Sequence, residues 1–160
     1  ILNAAVAYIK SCSIRFSNIY GNDTFLDAKK NRRILNKFII QMGLINEVSI
    51  VSNGKFYRNY LHVTDAARMT IHLLKQKKFS QSIYLACSRD NILFVDAVKL
   101  LVGMYEIKFN KKIKINKNLH SNYITDTRSF KLTPSQIFLE SFKYKYDMKK
   151  GFAELLKGEI

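Results

Sequence analysis

The segment Asn53-Gly-Lys-Phe-Tyr-Arg-Asn-Tyr-Leu-His-Val-Thr-Asp65 holds a turn, a strand and a helix start in succession. Asn53-Gly54 is the dipeptide that best tolerates the positive φ angles of a two-residue type I′ turn, so it predicts a hairpin between Val48 to Ser52 and Lys55 to Val63. Alternation along the second strand sets Phe56, Arg58, Tyr60 and His62 on one side. Thr64 stands where a helix N-cap belongs, ahead of a helix from Asp65 to about Lys75.

Upstream, Asp27 to Gly43 carries Ile34, Phe38 and Met42 at steps of four, which predicts an amphipathic helix closed by Gly43. Before it, Ser13 to Ile19 reads as a buried strand, with Ile14, Phe16 and Asn18 on one face and a turn at Gly21-Asn22. The spacing and alanine content of Ile1 to Lys10 predict a helix. Downstream, Ser82 to Cys87 is a short strand, and Phe94, Val98, Leu101 and Tyr105 form the stripe of a further helix. Lys112 to Asn116 alternates as an exposed edge strand. The tail carries the only proline, Pro134, and two helical patterns, the last with Met148, Phe152 and Leu155. This alternation of strands and helices defines an α/β protein.

With 160 residues, 48% of them hydrophobic, the chain can bury one modest core. No apolar run approaches the roughly 20 residues that span a bilayer. Cys12 and Cys87 lie in separate apolar stretches and read as buried thiols, which suits a reducing cytoplasm. His62, His72 and His120 show no metal-ligand spacing, so no metal site is assigned. The formal charge of +15 points first to an anionic partner. Most of it is lysine, however, dispersed from Lys10 to Lys157 among Asn and Ile residues, a bias that low-GC coding produces. Only Lys29-Lys-Asn-Arg-Arg33 is dense, and it reads as the solvated face of a helix.

Two segments in their order carry a resemblance. Arg15-Phe-Ser-Asn-Ile-Tyr-Gly21 resembles the Arg-x-x-Asn-x-Tyr-Gly landmark, and Arg58 to Asp65 the Arg-Asp-Tyr-x-His-Val-x-Asp landmark, of extended short-chain dehydrogenase/reductases, the NAD-dependent sugar-nucleotide epimerase/dehydratase family. The resemblance implies the terminal strands of a Rossmann-type parallel sheet plus a small mixed α/β substrate-binding domain. Residues 1–160 are then expected to be the C-terminal part of such an enzyme, with Ile1 a truncation point and the dinucleotide-binding portion upstream. For the intact enzyme it implies NAD or NADP, a nucleotide-sugar substrate, a homodimer and a cytoplasmic location, with no membrane and no specific nucleic acid.

The resemblance also implies site residues. Main-chain groups around Phe16, Ser17 and Ile19 would meet the cofactor, and the Asn18 amide would donate to the substrate diphosphate. Arg58 would clamp the pyrophosphate, for which a permanently charged planar guanidinium with paired donors is suited. Ser49 and Val51 fall where relatives touch the base, and Lys117 could stand in for a second phosphate-binding arginine that has no clear counterpart. Each has a plainer reading: Asn18 as the end of a strand, Arg58 in a surface ion pair, Ser49 and Val51 as ordinary strand residues, Lys117 as a solvated side chain. Asn59 replaces the family's usual Asp, and Thr64 stands where an acidic residue is common; both are expected to alter hydrogen bonding near the strand-helix junction and leave the clamp intact.

Asp126-Thr-Arg-Ser-Phe-Lys131 resembles the family's late Asp-x-x-Lys segment, and Tyr144 to Leu156 its closing helix. Tyr146-Asp-Met-Lys-Lys150 matches the catalytic Tyr-x-x-x-Lys pattern at the wrong end of the chain, and the six glycines form no dinucleotide fingerprint, so no catalytic residue is assigned. A noncatalytic nucleotide-sugar-binding remnant is the alternative, and a basic nucleic-acid-binding module is a more distant one. Dispersed charge is expected to give only salt-sensitive sticking to DNA and RNA oligonucleotides, with affinities of roughly 10⁻⁴–10⁻⁶ M. Sequence-dependent binding that survives physiological ionic strength in a salt series would make Lys29 to Arg33 a functional site.

Overall fold

The computed structural model describes residues 11–22, 33–117 and 129–158. The helix expected over Ile1 to Lys10 lies outside these residues, as do Lys29 to Arg32, His120 and Asp126 to Arg128.

Among the described residues, seven short strands form three small sheets. β1 (Ser13–Phe16) pairs in parallel with β5 (Ile83–Ala86), and β3 (Glu47–Ile50) in parallel with β7 (Lys114–Lys117). β4 (Tyr57–His62) is central in the third sheet, parallel to β2 (Asn18–Tyr20) and antiparallel to β6 (Asn91–Leu93). Helices α1 (Ile34–Ile45), α2 (Val63–Leu74), α3 (Phe94–Phe109), α4 (Gln136–Ser141) and α5 (Met148–Leu155) complete a mixed α/β fold with parallel strands.

The expected strand from Ser13 to Ile19 is divided. At Ser17, whose amide donates to Ala86 O at 3.1 Å, the chain leaves β5 and passes to β4. The first half is less buried than its apolar residues suggested, with Ser13, Arg15 and Phe16 exposed, whereas Tyr20 is fully enclosed.

The expected hairpin across Asn53-Gly54 is not formed, because β3 and β4 belong to different sheets. Gly54 does take a positive φ of 69°, but Asn53 does not, so the turn is not type I′. Instead Asn53 Oδ1 accepts from Lys55 N at 2.8 Å, and Gly54 O accepts from Val95 N at 3.1 Å. A Cβ on Gly54 would lie 2.8 Å from Val95 Cβ, so the glycine permits this close approach of the loop to the start of α3.

Two helix boundaries also differ. α1 continues past Gly43 and ends at Asn46, which takes the left-handed conformation at φ 52°. α2 is capped by His62, not Thr64: the imidazole Nδ1 accepts from Thr64 N at 3.3 Å. The strand β6 had no counterpart in the sequence reading, since three residues give too short a pattern to register. The stripe on α3 is as expected, with Phe94, Val98, Leu101 and Tyr105 all buried. So is that on α5, where Phe152 and Leu155 are buried and Met148 is partly so. Cys87 is buried, its thiol pushed up to about 12 by desolvation, while Cys12 is only half-buried; both are free thiols.

One core packs Phe38, Met42, Val48, Phe56, Leu101 and Phe152; a second gathers Leu61, Met69, Tyr84 and Phe138. The tail is fastened across the β4–α2 junction by Asp65, which is fully buried. Its carboxylate accepts from Lys145 N at 3.0 Å, Tyr146 N at 2.9 Å and Arg68 Nη1 at 2.6 Å. Tyr146 then stacks on His62, with ring centroids 3.8 Å apart, and Glu154 Oε1 lies 4.0 Å from His62 Nε2. Burial lowers the His62 pKa, which keeps the imidazole neutral and able to accept as a cap. Asp65→Asn replaces one acceptor oxygen by an NH₂ group facing backbone donors, and is expected to cost about 2–3 kcal/mol. Chemical denaturation at neutral pH checks this; an unchanged midpoint would mean that the carboxylate does not fasten the tail.

Candidate functional site

The parallel register of β2 and β4 sets Asn18 opposite Tyr60. This places the exposed end of β2 beside Arg58, which lies two residues before Tyr60 and points to the same side of its strand. Asn18 and Arg58 thereby line one cavity of about 410 Å³, together with Arg33, Phe56, Tyr60 and Phe94. Ile19 also lines it.

Each side chain is held by its neighbours. One Asn18 N–H donates to Asn59 O at 3.2 Å; Asn18 itself is exposed. Arg58 is half-buried and donates from Nη1 to Tyr57 O at 3.0 Å. Its guanidinium carbon sits 4.1 Å from the ring centroid of Phe56 and 5.6 Å from that of Phe130. Aromatic faces fix the plane of a guanidinium while leaving its in-plane N–H groups directed outward. Tyr60 is buried, and desolvation pushes its phenol up to about 12 even though the Arg58 charge opposes the shift. At neutral pH it is therefore an uncharged hydroxyl in the wall of a cationic cavity.

A second cavity of about 550 Å³ is lined by Phe16, Ser17, Asn18, Phe130 and Leu132, so Asn18 belongs to both cavities. The Ser17 hydroxyl is buried with no hydrogen-bond partner among the described residues. An orphaned buried hydroxyl at a cavity wall offers a polar contact to a bound molecule.

The other sequence-derived candidates fall elsewhere. Ser49 is on β3, Val51 just beyond it, and Lys117 ends β7; the register pairs Ser49 with Asn116 and Ile50 with Lys117. These three thus gather at one end of the β3–β7 pair, and none lines either cavity. Ser49 N donates to Gln41 Oε1 at 3.4 Å, and Val51 and Lys117 are exposed. Tyr146, whose spacing to Lys150 imitates a catalytic pair, is occupied in stacking on His62.

Of the first cavity's lining, only Asn18, Ile19 and Arg58 were expected at the site; Arg33 and Tyr60 are the polar additions that bear most on its chemistry. Arg33 belongs to a basic run that reads as solvated surface, yet it immediately precedes α1 and lines the cavity. Tyr60 was legible only as a strand neighbour of Arg58; its alternation with Phe56 and Arg58 was the signal.

The sequence profile of the NAD dependent epimerase/dehydratase family matches residues 1–87, more than half of the chain. The chain belongs to this family. No curated protein matches it. Among solved structures, RMD from Pseudomonas aeruginosa, complexed with NADPH, is similar at a TM-score of 0.71 and 15% identity, over 93% of this chain and 48% of that one. UDP-glucuronic acid 4-epimerase from Bacillus cereus, in complex with UDP-glucuronic acid and NAD, gives 0.69 and 16%, over 94% and 45%. The NAD dependent NDP-hexosamine 5,6-dehydratase TunA gives 0.66 and 16%, over 97% and 48%. At these identities the likeness is one of fold. The chain spans a little under half the length of each of these structures.

Proposed function

We propose that this chain supplies the nucleotide-sugar-binding part of an NAD(P)-dependent epimerase or dehydratase. The observation that carries the reading is that Asn18 and Arg58, from segments 40 residues apart in sequence (58 − 18), line one cavity with a second arginine, Arg33. Two guanidiniums and an amide N–H suit a diphosphate, whose paired oxygens match the donor fork of arginine. The rings of Phe56, Tyr60 and Phe94 supply apolar wall, which suits a ligand that is only partly charged. Ser49, Val51 and Lys117 then form a neighbouring patch for the remoter parts of the nucleotide, as proposed positions without a cavity of their own.

The residues at the second cavity fit a nicotinamide cofactor: the orphaned Ser17 hydroxyl and the backbone from Phe16 to Asn18 are a polar edge beside a largely apolar hollow, with Ile19 of the same run facing the first cavity. When bound, that cofactor supplies hydride acceptance and return. This chain's part is to hold the diphosphate so that the sugar extends from the Asn18 end of the first cavity toward the second, which shares that residue. The homodimer and the cytoplasmic location expected of the intact enzyme belong to the same proposal. A noncatalytic nucleotide-sugar-binding role uses the same cavity and predicts the same binding.

Calorimetric titration with a nucleoside diphosphate tests the reading. Arg58→Ala is expected to weaken binding by about 2–4 kcal/mol, the loss for a charge-assisted contact in a partly desolvated site, and Arg58→Lys to recover only part of it. Arg33→Ala is expected to weaken it less, because Arg33 sits at the N-cap of α1, outside the strand pair that carries Asn18 and Arg58. Unchanged affinity in Arg58→Ala would make Arg58 a structural arginine.

A further inference from the structure

Asn59 is fully buried in the middle of β4, between the two residues that line the cavity from that strand. Its side chain uses both kinds of polar atom. Nδ2 donates toward Ser88 O at 2.8 Å, Asp90 O at 3.0 Å and Asn91 Oδ1 at 3.3 Å, and Oδ1 accepts from Ser88 N at 2.8 Å. The amide orientation follows from these partners, since the Ser88 amide can only donate and two of the other groups are carbonyls that can only accept. Asn91 carries the connection onward: its Oδ1 accepts from Leu132 N and its Nδ2 donates to Leu132 O, both at 2.9 Å. Leu132 belongs to the segment 129–135, which also lays Phe130 against the Arg58 guanidinium and accepts from Tyr57 N through Ser129 Oγ at 3.0 Å. On its other side, the Asn59 carbonyl holds the Asn18 amide.

We propose that Asn59 is a positioning residue for the diphosphate site: its side-chain amide ties β4 to the β5–β6 turn, which fixes the main-chain carbonyl that holds Asn18, and through Asn91 and the segment 129–135 it keeps Phe130 on Arg58. This rests on the nucleotide-sugar reading above. The role requires a neutral amide. An aspartate, the residue usual in the family at this position, has no N–H to offer the carbonyls of Ser88 and Asp90 when ionised, and only one O–H when protonated. The charged groups of the surrounding elements are Arg58 on β4, Arg89 and Asp90 in the β5–β6 turn, and Lys131 in the segment above, whose Nζ lies 4.3 Å from the Tyr57 ring centroid.

The test is titration of the full chain with UDP-glucose, dTDP-glucose and GDP-mannose at pH 5 and pH 8, with circular dichroism to show that each variant is folded at both. The pyrophosphate diester of these probes does not titrate in that range, so a pH effect belongs to the protein. Asn59→Ala is expected to bind about tenfold more weakly at both pH values, the loss that corresponds to about 1.4 kcal/mol. Asn59→Asp is expected to match that loss at pH 8 and to recover most of it at pH 5, where a protonated carboxyl regains a donor. Phe130→Ala, at an exposed position, is expected to bind about threefold more weakly with an unchanged melting temperature. A merely structural asparagine would lower the melting temperature and leave the affinity of the folded protein alone. Wild-type affinity in the Asn59 variants, or a loss in Asn59→Asp that ignores pH, overturns the proposal. Should the Asn59 variants not fold, wild-type affinity in Phe130→Ala overturns it. If the unaltered chain binds none of the probes, the nucleotide-sugar reading itself fails, a result distinct from the others.

Discussion

The parallel pairing of β2 with β4, Asn18 against Tyr60, is the constraint on which the rest of the structure depends. Parallel strands need a long crossover, and the chain between them supplies one that includes α1 and β3. The crossover returns β4 so that Arg58 meets the end of β2, and it leaves Arg33 beside the same cavity. A shift of one residue in this register would turn Arg58 and Tyr60 to the opposite face of the sheet and remove both from the cavity.

Two buried polar clamps hold that register, one at the end of β4 and one in its middle. At the β4–α2 junction, Asp65 gathers two backbone amides and the Arg68 guanidinium, and His62 caps α2 while stacking on Tyr146. In mid-strand, Asn59 ties β4 to the β5–β6 turn. Both are fully enclosed, where an unmet donor or acceptor costs about 1–3 kcal/mol, so each clamp is satisfied only in one arrangement of strand and tail. The C-terminal helix gains a steric lock as well. A Cβ on Gly151 would lie 2.7 Å from Tyr20 Cζ, so only glycine lets α5 close over the end of β2.

Much of this was legible in the sequence, and the failures have physical reasons. The strands around Phe16 and Arg58 and the stripes on α3 and α5 could be read because alternation and helical spacing are local signals. The hairpin at Asn53-Gly54 could not be judged locally: glycine was needed there, but to pass Val95, a contact made by a helix distant in sequence. The helix end at Asn46 and the cap at His62 were missed because glycine and threonine are the commoner residues for those tasks. At the site, Asn18 and Arg58 could be named from motif order, and Phe56, Arg58 and Tyr60 were placed on one face by alternation. Arg33 could not, since a basic run carries no sign of which of its members turns inward. The fold itself is shared, at 15–16% identity, with solved structures about twice the chain's length.

The central claim is that the cavity between β2 and β4 receives a nucleotide diphosphate. A crystal structure of the chain soaked with a UDP-sugar tests it most directly. Density for the diphosphate is expected within hydrogen-bonding distance of the Asn18 amide and the Arg58 guanidinium, with Phe56 and Phe130 still flanking Arg58. A diphosphate bound elsewhere, with that cavity holding only solvent, would contradict it.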